Sequence, residues 1–395
     1  MPQPSVTLVL TSAGHQQFLP EVLAREGLAR AVVRLVPDLE ILEPGPGADL
    51  SATHKLSSYR VGGRILWGIW RRIPAGWRKF VPFFGWERVA DHWISKRLPQ
   101  SDVFQAPMGV CIASLRQAKR LGAAILIDNP TLHPQAFQRE VLADCANAGF
   151  RLDDSLRGMR AAQIRRCEWQ YEMCDGVLVY SGAAARSFLP FPYSDKAVVV
   201  QQGVDHRFFS PAGKASRGST FRVCYVGRVE APKGVHHLAE AWKRLSLPDA
   251  ELVLAGRLMP ELAALRTEGP PARIRLTGIL SADGVARCYH ESDLFVFPSV
   301  NEGLPRALLE AMSSGLPVIA CRDTGAEDCV TPGKEGLLVP GRNPEALAAA
   351  ILWCYEHREE SAAMGRAARM RIEAQFTLSH YVQRLIELYR SVTSC

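Results

Sequence analysis

The sequence predicts an α/β protein with two doubly wound, Rossmann-like domains that face each other across a cleft. Short apolar runs typical of buried strands alternate with segments of helical periodicity along most of the chain. The alternation forms two series, separated near residue 210 by a polar stretch that contains Pro211, Gly213 and Gly218. The length of 395 residues suits about two or three domains of roughly 100–200 residues each.

The first series predicts the N-terminal domain, residues 1–205. It opens with the strand-like run Val6–Leu10, a turn that ends at Gly14, and a helical pattern over residues 18–26. Further buried strands are predicted over residues 123–127, 176–180 and 198–200.

The second series predicts another domain over residues 215–375. Its expected strands cover residues 221–226, 250–255, 294–297 and 317–320, and its expected helices cover residues 235–245, 282–290 and 307–313. Because strands that alternate with helices are joined by right-handed crossovers, each series predicts a mainly parallel sheet.

Composition excludes several classes of protein. Hydrophobic residues make up 47% and charged residues 22%, as in ordinary globular domains rather than disordered, collagen-like or coiled-coil chains. No apolar run reaches the roughly 18 residues of a membrane-spanning helix, and no basic residue precedes the first apolar run as in a signal peptide. The 10 cysteines form no C-x-x-C pair, so we expect no metal site and a cytoplasmic location.

Positive charge is concentrated in residues 55–97. This segment carries ten Lys or Arg and two acids, whereas the whole chain has a net charge of +7. It also contains five of the eight tryptophans: Trp67, Trp70, Trp77, Trp86 and Trp93. Cations and indoles together favour peripheral contact with an anionic membrane. A packed region with solvated basic faces is the alternative, and a nucleic-acid surface is the weaker one, because no nucleic-acid motif accompanies the patch.

The segment Y-V-G-R-V-E-A-P-K-G, residues 225–234, follows a predicted strand and precedes a predicted helix. Gly227 permits close approach of a ligand to the backbone. Arg228 and Lys233 bring two cations to the carboxyl end of a strand, where open α/β sheets bind ligands, and together suit a diphosphate. A turn with two surface cations is the alternative interpretation.

A second motif spans residues 297–312 and contains two glutamates eight residues apart. Glu302 precedes a predicted helix that Gly303 and Leu304 open, where free backbone N–H groups attract phosphate or a sugar hydroxyl. Glu310 lies about two turns into that helix among apolar residues, so its carboxylate needs a partner. We expect that partner to be a ribose diol, while Glu302 binds a second sugar.

Residues 220–342 resemble the retaining, metal-independent GT-B glycosyltransferases of family 4. The resemblance rests on ordered motifs that include VGRVEAPKGV, LVLAGR, LTGIL and NEGLPRALLEAM. It implies that Arg228 and Lys233 clamp a diphosphate, that Glu310 binds ribose, and that Glu302 faces the donor sugar. Gly303 and Leu304 would offer backbone amides. The loops at Gly256, Arg257 and Ile279 would surround the base.

The N-terminal half resembles the family less closely. Gly14 stands where the family often has two glycines, and His133 matches a histidine near the donor sugar, although a plain loop histidine is the alternative. The resemblance also implies that a C-terminal helix, within residues 376–395, packs back on the N-terminal domain.

The implied substrates are a UDP or GDP sugar and a sugar or lipid-linked acceptor, with no cofactor, no metal and no nucleic acid. The implied function is transfer of the sugar to a hydroxyl in polysaccharide or glycolipid synthesis at the inner membrane face. A soluble small acceptor and a non-catalytic nucleotide-sugar-binding protein are the alternatives.

Overall fold

The structure, a computed structural model, confirms the predicted fold class of two α/β domains. It describes residues 3–10, 19, 23, 26–34, 40–42, 88, 91–150, 161–211, 220–266 and 273–394. Within these ranges two separate sheets are present, one in each half of the chain. Gly14, most of the predicted helix over residues 18–26 and most of the segment 55–97 lie outside the described residues.

The N-terminal sheet has seven strands. They are β1 (Val6–Leu10), β2 (Ala29–Arg34), β3 (Glu40–Leu42), β4 (Val103–Pro107), β5 (Ala124–Asn129), β6 (Gly176–Val179) and β7 (Ala197–Val199). Their order is β3-β2-β1-β4-β5-β6-β7, and all neighbours are parallel except β2 and β3. The helices of this half are α1 (Ile112–Arg120), α2 (Pro134–Asn147), α3 (Ala161–Met173) and α4 (Gly182–Arg186).

The C-terminal sheet has six parallel strands. They are β8 (Phe221–Val226), β9 (Ala250–Ala255), β10 (Ile274–Gly278), β11 (Leu294–Phe297), β12 (Val318–Cys321) and β13 (Gly336–Val339). Their order is β10-β9-β8-β11-β12-β13, so the chain reverses direction across the sheet between β8 and β11. Ligands of such sheets bind beyond the carboxyl ends of the strands at this reversal.

Helices cover the C-terminal sheet and continue to the end of the chain. They are α5 (Val235–Lys243), α6 (Ala282–His290), α7 (Arg306–Ser313), α8 (Pro344–Glu356), α9 (Arg358–Gln375) and α10 (Leu378–Thr393). A 3-10 turn, Ala231–Lys233, joins β8 to α5. Strands β8, β9 and β11 and helix α6 have the bounds that the sequence predicts.

Helix α10 lies against the N-terminal domain. The Tyr389 hydroxyl donates to Oε1 of Gln105 on β4 at 2.6 Å, and both side chains are fully buried. Just before the helix, the Val204 amide donates to the Phe376 carbonyl at 2.8 Å. The last helix therefore ties the C-terminal end of the chain to the first domain.

The end of the basic segment has one packed face and one exposed face where the structure describes it: Asp91, Ile94 and Ser95 are buried, whereas Arg88, His92, Lys96 and Arg97 are exposed. The buried carboxylate of Asp91 accepts from the amides of Ala113 and Ser114 at 2.6 and 2.9 Å, which caps the start of α1. Trp93 packs against the core of the N-terminal domain, and the Arg97 guanidinium lies 4.1 Å from its ring centroid. Residues 91–97 thus follow the packed alternative.

The described residues include no helix with both the length and the apolar character needed to cross a bilayer. Nine cysteines fall within the described ranges; all nine are buried, and none of them forms a disulfide bond.

Candidate functional site

A cavity of about 410 Å³ lies beyond the carboxyl ends of β8, β9 and β10. Five residues that the sequence predicts as nucleotide contacts line it: Gly227, Arg228, Gly256, Arg257 and Ile279. They come from three segments that are separate along the chain. The structure brings them together because neighbouring parallel strands end at the same edge of the sheet.

The floor of this cavity requires close contact between loop backbones. Gly256 has a φ of +149°, and a side chain there would collide with the Gly227 carbonyl. The Gly227 amide donates to the Ala255 carbonyl, and the Gly256 amide donates to the Gly278 carbonyl, each at 2.9 Å. The remaining side chains are mostly apolar, Met259, Leu280 and Val285 among them, so the cavity suits a flat ring.

Lys233 and Glu302 form an ion pair, with Nζ 2.5 Å from Oε2. Lys233 ends the 3-10 turn after β8, and Glu302 lies in the loop between β11 and α7. Their side chains are 23% and 16% exposed, so each remains accessible to a ligand. The structure therefore joins two residues that the sequence assigns to different parts of a donor.

Arg228 is paired with a carboxylate that sequence reasoning passed over. Its Nη2 lies 2.8 Å from Oε1 of Glu230, which is buried, whereas the Arg228 side chain is 64% exposed. Burial raises the pKa of Glu230 above its usual 4.5, and the charges of Arg228 and Lys233 oppose that rise. Glu230 thus holds Arg228 at the rim of the cavity, and its position between the two cations was the signal available in the sequence.

Glu310 already has two protein partners. Its Oε1 accepts from Nε of Arg306 at 3.0 Å, and its Oε2 accepts from the Tyr289 hydroxyl at 3.3 Å. Burial raises the pKa of Glu310 above 4.5, while Arg306 and Tyr289 oppose the rise. Each carboxylate oxygen can accept a second hydrogen bond, so a diol can still be bound.

The two domains meet beside Glu302. A side chain at Gly303 would collide with the carbonyl of Pro130, which follows β5 in the N-terminal domain. The Leu304 side chain is buried in the C-terminal core, and α7 begins two residues later, at Arg306. The helix thus begins one residue before its expected start at residue 307, with Pro305 as its N-cap, and Gly303 lies at the domain boundary.

His133 does not occupy the position that the sequence predicts. Its ring is fully buried and stacks on Phe191 with 3.6 Å between centroids. Nδ1 accepts from the Gln135 amide, which caps α2, and Nε2 is 2.9 Å from the Tyr193 hydroxyl. Burial lowers the pKa of His133 from 6.5 to about 4. With both nitrogens engaged and no exposed surface, His133 is a neutral packing and capping residue rather than a sugar contact.

A polar cluster that the sequence did not predict joins the domains near the start of α5. The Asp144 carboxylate on α2 is 2% exposed and lies 2.9 Å from His237, 3.5 Å from His236 and 3.3 Å from Arg342. One ligand atom from each of Asp144, His236 and His237 lies within 4.8 Å of the others, a spacing that could hold a metal ion. The Arg342 guanidinium shares the carboxylate, so the arrangement favours an ion pair over a dication.

Residues 220–357 match the family model of the glycosyl transferases group 1. The matched span includes the 410 Å³ cavity, the Lys233–Glu302 pair and Glu310.

Curated relatives are similar over part of their length. The chain is 32% identical to the putative glycosyltransferase YtcC of Bacillus subtilis, over 50% of this chain and 55% of that protein. It is 28% identical to D-inositol 3-phosphate glycosyltransferase of Corynebacterium urealyticum, over 59% and 61%. The amylovoran biosynthesis glycosyltransferase AmsK of Erwinia amylovora is 25% identical, over 49% and 51%. The chain thus spans about half the length of these relatives.

Solved structures match nearly the whole chain and show its fold to be GT-B. Anabaena HepE, solved in complex with UDP, has a TM-score of 0.67 and 15% identity, and the match covers 98% of this chain and 100% of that one. Sucrose-phosphate synthase from Thermosynechococcus elongatus has a TM-score of 0.68 and 19% identity, with coverage of 99% and 100%.

Proposed function

We propose that this protein is a glycosyltransferase that moves a sugar from a nucleoside diphosphate sugar to a hydroxyl acceptor. The observation that carries the proposal is the single cavity lined by Gly227, Arg228, Gly256, Arg257 and Ile279, next to the Lys233–Glu302 pair. A base in the apolar cavity would place its diphosphate toward the two cations. The match of residues 220–357 to the glycosyl transferases group 1 supports the same activity.

The site residues divide the work of transfer. Arg228 and Lys233 stabilise the negative charge that develops on the leaving diphosphate. Glu310 accepts from the ribose diol, and Glu302, with the backbone amides of Gly303 and Leu304, orients the donor sugar. The acceptor oxygen bonds to the anomeric carbon as the bond to the phosphate oxygen breaks, and the acceptor proton passes to that phosphate oxygen.

This scheme is a retaining, metal-independent reaction of the family 4 type. Protein cations take the place that a metal ion has in other transferases, since they neutralise the leaving group themselves. We expect the product to keep the donor's anomeric configuration and turnover to survive EDTA. Proton NMR of the product reads the configuration, and an inverted product or complete loss of turnover in EDTA would refute this scheme.

UDP sugars are the first donors to test, because a structure with the same fold, Anabaena HepE, was solved with UDP. A panel of UDP and GDP sugars, followed by thermal shift and then by release of nucleoside diphosphate, identifies the donor. In Lys233→Ala and Arg228→Ala, turnover should fall about 10- to 100-fold, because each loses a charge-assisted contact worth about 1.5–3 kcal/mol.

The matched control for that assay is Lys334→Ala, which removes a 70% exposed lysine outside the candidate site. It should retain normal turnover. Near-normal turnover in both Lys233→Ala and Arg228→Ala would refute the diphosphate assignment. Donor binding without release of nucleoside diphosphate would favour the non-catalytic nucleotide-sugar-binding alternative.

The acceptor side of the proposal is polysaccharide or glycolipid synthesis at an anionic membrane surface. The support is the cluster of Lys, Arg and Trp residues that precedes the packed residues 91–97, with Trp67, Trp70, Trp77 and Trp86 as its indoles, together with relatives such as AmsK, named for amylovoran biosynthesis. The charge contribution should weaken with salt, because the screening length is about 8 Å at physiological ionic strength.

Co-sedimentation with anionic liposomes tests this contact. Binding should fall as salt rises and should fall again in a variant with Trp67, Trp70, Arg71 and Arg72 all replaced by alanine. Failure of the wild type to bind at low salt would favour a soluble acceptor instead.

A further inference from the structure

A second cavity, of about 590 Å³, lies on the boundary between the two domains. Helices α2 and α4 contribute its N-terminal wall, and the loops after β11, β12 and β13 contribute its C-terminal wall. Its volume falls within the roughly 300–1,000 Å³ of small-molecule sites. It shares no lining residue with the cavity at β8, β9 and β10.

Arginine dominates the charged lining of this second cavity. Four arginines from four different elements face it, against two acids, Glu140 and Asp323; the arginines are Arg139, Arg186, Arg322 and Arg342. Arg342 is committed to the protein, since it lies 2.8 Å from Glu140 and 3.3 Å from Asp144.

The other three guanidinium groups retain free donors. Arg322 is exposed, and its side chain makes no hydrogen bond or ion pair with the residues that the structure describes. Arg139 is 73% exposed, and its contact with Glu140 is long, at 3.8 Å. Arg186 is 58% exposed and lies 3.2 Å from Glu327. A guanidinium has five N–H donors, so these groups can still bind an anion.

The cavity begins beside the predicted reaction centre. Its lining residue Val300 lies two residues before Glu302, and its lining residue Leu132 lies two residues after Pro130. The Pro130 carbonyl is the group that abuts Gly303. A molecule in this cavity therefore sits against the same two loops that meet at the donor sugar's expected position.

We propose that this cavity binds the acceptor and selects a sugar with an anionic group, either a carboxylate or a phosphate. The inference rests on the proposed glycosyltransferase function and adds the class of its acceptor. The guanidinium groups bind the anion through charge-assisted, fork-like hydrogen bonds. The apolar side chains of Leu132, Ala136 and Val300 cover the sugar ring.

Calorimetry with three probes tests the proposal: glucuronate, glucose 6-phosphate and uncharged glucose. Each is titrated with UDP at saturation, so that Arg228 and Lys233 are already occupied. At least one anionic sugar should bind tenfold or more tighter than glucose. A preference for glucuronate identifies the carboxylate as the recognised group, and a preference for glucose 6-phosphate identifies the phosphate.

The double variant R139Q/R322Q should weaken binding of the preferred anion at least tenfold, because charge-assisted hydrogen bonds are lost. Both side chains are exposed, so the fold should persist, and a melting curve checks this. The matched control is Arg366→Gln, an exposed arginine on α9 outside the cavity, which should bind the anion normally.

Equal affinity for all three sugars, or unchanged anion binding in the folded R139Q/R322Q variant, would overturn the anionic-acceptor inference. Binding of UDP by the wild type in the same titrations separates the two proposals. If UDP binds and anionic sugars do not, only this inference fails. If neither UDP nor GDP binds, the proposed function fails.

Discussion

In the Lys233–Glu302 ion pair, the Glu302 carboxylate occupies the position at Lys233 where a donor diphosphate is expected to bind. Nζ of Lys233 lies 2.5 Å from Oε2 of Glu302, so a bound phosphate must share or replace that carboxylate. The exchange would release Glu302 toward the sugar at the moment the donor arrives. This exchange would couple donor binding to sugar orientation.

Glu302→Gln separates these two roles. Removing the carboxylate frees Lys233, so UDP affinity should stay within about threefold of the wild type, whereas sugar transfer should fall about 10- to 100-fold. Calorimetry with UDP and a transfer assay make the comparison. A parallel loss of UDP affinity and transfer would contradict this division.

Glu310→Ala, unlike Glu302→Gln, should weaken the binding of UDP. If Glu310 accepts from the ribose diol, UDP affinity should fall about tenfold or more, because a charge-assisted hydrogen bond is lost. Arg306→Ala is the control, since it removes a protein partner of Glu310 and leaves the carboxylate in place. Normal UDP affinity in a folded Glu310→Ala protein would assign the residue to packing alone.

The buried ring of His133 makes folding pH-dependent. Burial lowers the pKa of His133 in the folded protein from 6.5 to about 4. Between these pH values the ring is protonated in the unfolded chain but neutral in the folded one. The contribution of His133 to the free energy of unfolding is therefore complete above pH 6.5 and is lost as the pH falls toward 4. The free energy of unfolding should decline by roughly 3 kcal/mol over this range from His133 alone.

Denaturant titrations from pH 7 to 4 measure this decline. His133→Asn keeps an acceptor for the cap of α2 and should flatten the pH dependence. The exposed His92, replaced by Asn, is the control and should leave the slope unchanged. An identical slope in His133→Asn would contradict the assignment.

At the scale of elements, α2 is joined to α5 through one buried carboxylate. Asp144 lies 2.9 Å from His237 and also contacts Arg342, so the loop that carries Lys233 is tied to the N-terminal domain. Burial raises the pKa of Asp144, but the His237 hydrogen bond and nearby cations bring it net below 3.8. The ionised Asp144 carboxylate therefore stabilises the folded protein above pH 3.8, and this stabilisation is lost as the pH falls further.

Asp144→Ala should lower the free energy of unfolding by about 3 kcal/mol, because it leaves buried partners unpaired. Asp144→Asn should recover part of this, since its side-chain oxygen still accepts from His237. Glu140→Ala is the matched control: it removes a half-exposed carboxylate on the same helix that also pairs with Arg342, and should cost about 1 kcal/mol or less. Equal losses in Asp144→Ala and Glu140→Ala would contradict the prediction.

At the scale of the whole molecule, the two domains are held together on a second side by Asp328. Its Oδ2 accepts from the Gly182 amide at 3.0 Å and from Nε2 of Gln201 at 3.1 Å. Together with the close approach of the Pro130 carbonyl to Gly303, these hydrogen bonds hold the two domains closed against each other. Closure of this kind excludes the water that would hydrolyse a donor.

Small-angle scattering tests whether donor binding favours that arrangement. The radius of gyration should fall when the nucleotide sugar saturates the protein. Asp328→Ala should enlarge the unliganded radius, and the exposed Asp195→Ala should leave it unchanged. An unchanged radius at saturation would count against closure.

The sequence by itself determined the alternation of strands and helices and much of the C-terminal domain. The apolar runs at β8, β9 and β11 are continuous and flanked by turns, so their bounds were predicted correctly. The sequence does not predict strands β2, β3, β4, β10 and β13, because they are short or interrupted by polar residues and are defined by their neighbours in the sheet.

Candidate site residues that follow strands could be predicted for the same reason. Gly227, Gly256 and Ile279 come directly after successive parallel strands, and parallel strands place such residues at one edge. Only the tertiary structure decided which way His133 faces, since local sequence does not specify whether a ring turns toward a cleft or a core. It alone also joined Asp144 to His237, because residues 93 apart in different domains share no local pattern. Long-range packing brought these groups together and buried their charges.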